Sequence, residues 1–116
     1  MSGPLASRTK AFALRIIRLY TALPASDVAR VLGKQVLRSG TSVGANYREG
    51  MHARSPAEFV AKLAIALMEI GETQYWLELL AESGTVETGR LTDLLGEAGQ
   101  IQAMLIASIN TSKSHR

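Results

Sequence analysis

The chain has 116 residues, 47% of them hydrophobic, and a formal net charge of +3 from 13 Lys/Arg and 10 Asp/Glu, which fits one domain with a core that needs no covalent staples. It contains no Cys, which excludes disulfides and thiolate metal sites and fits a reducing compartment. Met1 to Pro4 lacks the basic segment and apolar run of a secretory leader, and the longest strongly apolar stretch, Leu63 to Met68, falls far short of the ~20 residues of a spanning helix, so no membrane association is expected.

Four helical segments follow in order, with no strand signal between them. The first is predicted over residues 6–23: Phe12, Ile16, Leu19 and Leu23 keep helical spacing, Ile17 and Tyr20 widen the stripe, and Pro24 stops it. The second covers residues 26–52, with Ser26 as N-cap and Asp27 in the first turn. Its apolar face is Val28, Leu32, Val36, Val43 and Tyr47. Gly33, Gly40 and Gly44 each weaken this helix by ~1 kcal/mol relative to Ala, so packing must hold it. With Leu37 they form a narrow strip that admits another helix closely, either from the same chain or from a neighbour.

The third helix, residues 56–83, has the clearest start. Ser55, Pro56 and Glu58 form a capping box with Pro at the first helical position, and Gly84 is placed to end it. Phe59, Leu63, Ala66, Ile70 and Leu77 make one apolar stripe. Ile65, Met68, Tyr75, Trp76, Leu79 and Leu80 lie beside or behind it. A helix apolar nearly all round calls for burial on two sides, and one small bundle supplies one. The expected second cover is another copy of the chain, with Gly40, Gly44, Met68, Tyr75, Trp76 and Leu79 at the contact. The fourth helix, residues 88–110, carries a seam of Leu91, Leu94, Ala98, Ile101, Leu105 and Ile109, followed by a polar tail expected to fray. Short connections between long helices make antiparallel neighbours, so the fold class is all-α, an antiparallel up-and-down four-helix bundle in a single domain.

Charge is unevenly placed. Residues 1–62 hold ten Lys/Arg against three acids, a balance of +7, and the remainder carries −4. Arg30, Lys34, Arg38 and Arg48 share one ~80° arc of the second helix, and such a stripe can track a phosphate backbone of RNA or DNA. Solvation, or pairing with the acidic half of a neighbour, explains the same pattern without nucleic acid. On the same helix Ser39, Ser42, Asn46 and Glu49 recur at three- and four-residue spacing, with Gln35, Lys62 and Glu69 as partners. This polar ladder reads either as a ligand site or as a network fixing helix register.

No catalytic group, metal or cofactor is expected. His52 and His115 lack carboxylates at di-iron spacing, and no nucleophile–base pair is recognisable. Gly33-Lys34 is not a phosphate loop, because Val28 and Gln35 stand where that motif needs Gly and Ser/Thr.

Gln35 to Ser39, Ser42-Val43, Asn46 and Glu49-Gly50 resemble the second-helix pattern of the 23S ribosomal-RNA intervening-sequence proteins. Ser55, Glu58-Phe59, Lys62-Leu63, Ile65-Ala66, Glu69, Glu72-Thr73 and Tyr75 to Leu80 continue it, and Ser108 to Thr111 is similar to the tail. The resemblance implies an up-down bundle assembled into a homo-oligomeric ring, typically a pentamer, in the bacterial cytoplasm. It implies no settled activity: the family name comes from members encoded inside insertions in ribosomal-RNA genes, and related, strongly basic bundles are accessory factors that bind nucleic acid and a reverse transcriptase. A non-enzymatic RNA-associated accessory module is therefore expected, with a protein–protein scaffold as the alternative.

Overall fold

The computed structural model describes residues 3–115. Four helices follow one another: α1 (Gly3–Ala22), α2 (Asp27–Met51), α3 (Pro56–Glu82) and α4 (Thr88–Ser114). α1 packs on α2, α2 on α3 and α3 on α4, and α4 closes the square against α1. Gly33 of α2 lies against Tyr20 and Leu23 of α1, whereas Gly44 lies against Thr9, so these two helices run antiparallel. The Lys62–Glu49 and Thr73–Ser39 contacts set the same relation between α2 and α3. The result is an antiparallel up-and-down bundle 48 × 20 × 19 Å across.

The caps act much as the sequence indicates. Ser26 accepts from the Ala29 N–H and Ser55 from the Glu58 N–H, each satisfying a donor that the first helical turn leaves open. The Glu58 carboxylate reaches back to the N–H of Arg54, one residue before the position a capping box uses. Gly84 takes φ 76°, and the Val86 N–H then donates to the Leu80 carbonyl, closing α3.

Phe12, Ile16, Val36, Val43, Leu63, Ile70, Leu77, Leu80, Ile101 and Leu105 are wholly enclosed and form the core. Two sequence expectations change. Val28 does not join the apolar face of α2: it is 52% exposed, and Ala29, one helical step round, is the residue that faces inward. The tail does not fray at Asn110; α4 continues to Ser114, and Ser112 lines one shallow cleft with Gly50, Ser55 and Phe59, at the turn between α2 and α3. Among the described residues no helix is long and apolar enough to cross a membrane.

Candidate functional site

The basic arc of α2 does not form one uniform stripe. Arg30 pairs with Asp27 one turn away on the same helix. Arg38, still half exposed, binds two carboxylates of α3, Glu69 at 3.3 Å and Glu72. Its charge is answered within the chain, which corrects the expectation of a free phosphate contact at that position. Lys34 and Arg48 are exposed, and among the described residues no carboxylate pairs with either. Because ~1.5 Å separates successive helical residues, Arg30 and Arg48 lie ~27 Å apart along α2, near opposite ends of the bundle.

Arg48 belongs to a second arrangement that the sequence reading missed. An open groove runs between the first half of α1 and the second half of α2, and the start of α3 closes one end. Lys10 of α1 stands on one wall, and Arg48 and His52 on the other. α1 contributes four cations and no acid over its whole length. That compositional signal was present, but which helix lies beside α2 is a tertiary fact.

The polar ladder is mostly local. Ser42 donates to the Arg38 carbonyl, Asn46 to the Ser42 carbonyl, and Ser39 to the Gln35 carbonyl, all one turn back on α2. Gln35 enters this pattern through its backbone oxygen. The buried link to α3 comes from a residue not anticipated, beside the expected Lys62 and Glu69: Thr73 Oγ1 lies 2.9 Å from Ser39 Oγ, and both side chains are fully buried. Thr73 Oγ1 also approaches the Glu69 carbonyl at 2.7 Å, so the single proton of each hydroxyl has an acceptor in either arrangement. Lys62 bridges to Glu49 at 2.8 Å, and this bond raises the Lys62 pKa from its ordinary value. The Glu69 carboxylate serves Arg38. The ladder therefore closes on itself between α2 and α3.

Gly40 and Gly44 do not face a neighbouring copy. A Cβ on Gly40 would sit 2.8 Å from Ile16 Cγ1, and one on Gly44 would sit 3.2 Å from Thr9 Oγ1. The helix that these glycines admit is α1 of the same chain, which corrects their assignment to an oligomer contact.

The outer face of α3 is a different matter. Met68 is 72% exposed, Tyr75 55% and Ile65 38%. At ~100° per residue, Ala57, Ala61, Ala64, Met68, Tyr75 and Leu79 share one side of the helix, opposite Leu63, Ile70 and Leu77. Of the charged residues between Ala57 and Leu79, Lys62, Glu69 and Glu72 are drawn toward α2 by Glu49 and Arg38, Glu58 turns back to the Arg54 N–H, and Glu78 stands exposed on the flank of the strip. The strip itself is left without charge along ~30 Å of helix. Leu79 is half-buried at its edge. Trp76 departs from its expected place: it packs against the core, and its indole N–H donates to Glu72 at 3.0 Å. That bond is the main influence lowering the Glu72 pKa, with Arg38 adding to it. Tyr75 meets Trp76 edge to face, with ring centroids 5.2 Å apart.

Across the bundle, Arg8 of α1 grips α4. It donates to both carboxylate oxygens of Glu97 at 3.0 and 2.7 Å and to Gln100 at 2.6 Å. This contact lowers the Glu97 pKa. Among the described residues no group of three His, Asp or Glu is placed to hold a metal.

These features define an antiparallel four-helix-bundle protein with a sealed polar link inside, a basic groove on one side and an uncharged helix face on another. The chain belongs to the 23S rRNA-intervening sequence protein family, whose pattern it matches over residues 5–107. It is similar to a protein of unknown function from the S23 ribosomal protein family of Bacteroides thetaiotaomicron VPI-5482, known from a crystal structure. The two are 41% identical, with a TM-score of 0.86, and the match covers 90% of this chain and 97% of that one. No curated protein matches the chain.

Proposed function

We propose that this chain is a non-enzymatic, cytoplasmic, homo-oligomeric bundle that associates with RNA as a binding or accessory module. The observation that carries this reading is the way the fold sorts charge. The strip of Ala57, Ala61, Ala64, Met68, Tyr75 and Leu79 on the outer face of α3 carries no charge, Lys62, Glu69 and Glu72 being paired toward α2 and Glu78 standing on its flank. The outer side of α1 and α2 keeps Lys10, Lys34 and Arg48 exposed without an acid partner among the described residues. A long uncharged strip with exposed Met and Tyr is suited to burial against copies of the same chain, and a ring of copies, a pentamer in the family resemblance, would repeat the basic surface around its rim. The family name, which refers to sequences intervening in 23S rRNA, agrees with RNA as the polyanion. The buried Ser39–Thr73 pair, closed to solvent, supports a structural role for the polar ladder.

Filter binding to a structured RNA across a salt series tests the proposal. Affinity should fall by ~0.7–0.9 log units per log unit of salt for each phosphate neutralised. Absence of retention at low salt would remove RNA from the account. It would favour a protein–protein scaffold, a reading that the internal pairing of Arg38 with Glu69 and Glu72 also suits.

A further inference from the structure

The groove between α1 and α2 exists because small residues face each other there. Ala6 and Ala13 of α1 lie opposite Gly44 and Ala45 of α2, and the helices touch beneath them where Gly44 meets Thr9. Larger side chains at these positions would fill the trough. Long cations stand at its rim instead: Lys10 on the α1 wall, Arg48 on the α2 wall, with His52 one turn beyond Arg48.

Of the two acids at this groove, Glu49 is neutralised by a lysine, and Glu58, at the α3 end, is held by a backbone N–H and keeps its charge. Glu49 binds Lys62 at 2.8 Å, and Glu58 accepts from the Arg54 N–H at 3.0 Å. Lys10 and Arg48 have no acid partner among the described residues, so with Lys62 and Glu49 cancelling and Glu58 confined to the α3 end, the trough between α1 and α2 is positive and these two cations are placed to meet an anion. A concave trough with cations on both walls suits a single strand, whose backbone can lie between them, better than the convex surface of a duplex. Of the rings that line it, Tyr47 is buried and His52 stands at one end of the α2 wall, so contact along the trough falls on sugar and phosphate.

Two hydroxyls at the groove add a further selectivity. Thr41 Oγ1 donates to the Leu37 carbonyl at 2.8 Å, and Ser7 Oγ donates to the Pro4 carbonyl at 3.1 Å. A hydroxyl that has given its proton to its own helix offers only lone pairs. Phosphate oxygens have no proton for it, whereas a ribose 2′-hydroxyl does and deoxyribose lacks the group.

We propose that this groove holds the sugar–phosphate backbone of single-stranded RNA, with Lys10 and Arg48 neutralising phosphates from opposite walls and Thr41 accepting the proton of a ribose 2′-hydroxyl. The proposal rests on the RNA association put forward above and assigns its contact surface. Fluorescence anisotropy of the full chain with oligouridylate and with oligodeoxyuridylate of equal length tests it. The double variant Lys10→Gln, Arg48→Gln should bind oligouridylate at least ~tenfold more weakly at low salt, and its salt slope should flatten by ~1.4, the share of two phosphates on a single strand. Thr41→Val should narrow the preference for RNA over DNA by roughly three- to tenfold, the worth of one hydrogen bond. Arg90→Gln, at the opposite end of the bundle, should change neither quantity. Oligouridylate binding with unchanged slope in the double variant would overturn the groove assignment and leave RNA association standing. Equal affinity of the unaltered chain for the two oligomers would overturn the ribose contact. Failure of the unaltered chain to bind any RNA at low salt would overturn the groove and the RNA reading together.

Discussion

Gly40 of α2 faces Ile16 of α1 so closely that a methyl group on Gly40 would lie 2.8 Å from Ile16 Cγ1 and 3.0 Å from Cγ2. Ile16 is fully enclosed and stiff at its branched carbon, so it has little room to yield. Gly96 of α4 is exposed, and a methyl group there would meet nothing within 4 Å. The same substitution should thus act with opposite sign at the two sites. Gly96→Ala should raise unfolding free energy by about 0.5–1 kcal/mol through helix propensity. Gly40→Ala should lower it, because overpacking by about 1–3 kcal/mol outweighs that gain. Urea unfolding followed by circular dichroism checks both.

Thr73 and Ser39 form a fully buried polar tie between α2 and α3. Thr73→Val removes the cross-helix bond while Ser39 keeps the Gln35 carbonyl as acceptor, so the expected loss is about 1 kcal/mol. Ser39→Ala combined with Thr73→Val should cost less than the two changes added, since each already abolishes the shared bond. A double-mutant cycle in urea measures the difference.

Acid should loosen the contact between α1 and α4. The Arg8 guanidinium, through its hydrogen bonds, holds the Glu97 carboxyl below its ordinary pKa. A carboxylate depressed in this way stabilises the folded chain fully above its unfolded pKa, and the contribution is lost as pH falls through the folded value. Thermal stability should therefore drop between roughly pH 5 and pH 3, and Glu97→Gln should be less stable at neutral pH but show a shallower acid decline. Glu72, depressed chiefly by the Trp76 indole N–H and then by Arg38, should contribute a second part of the same decline. Thermal melts across that range separate the two.

The helices were legible because their ends carry local chemistry: Ser26, Ser55 with Pro56, and Gly84 act on backbone groups a few residues away. The apolar excess of α3 was legible too, because helical periodicity places Met68 and Tyr75 opposite Leu63 and Ile70 before any packing is known. What periodicity cannot supply is the identity of the neighbour. Gly40 and Gly44 announced a close helix without saying that it was α1. Arg38 read as a cation free for phosphate because nothing local to α2 reveals Glu69 and Glu72 beside it. The groove needed Lys10 and Arg48, separated widely in sequence, to be brought to facing walls.

The outer face of α3 supplies the most direct test. Light scattering of the purified chain at neutral pH should return a mass several times that of one chain, and Met68→Lys, which places a charge at the centre of that face, should shift it toward a single chain without loss of helicity. A single-chain mass for the unaltered protein would contradict the account: Met68 and Tyr75 would then stand in water uncovered, and there would be no ring around which to repeat the basic surface.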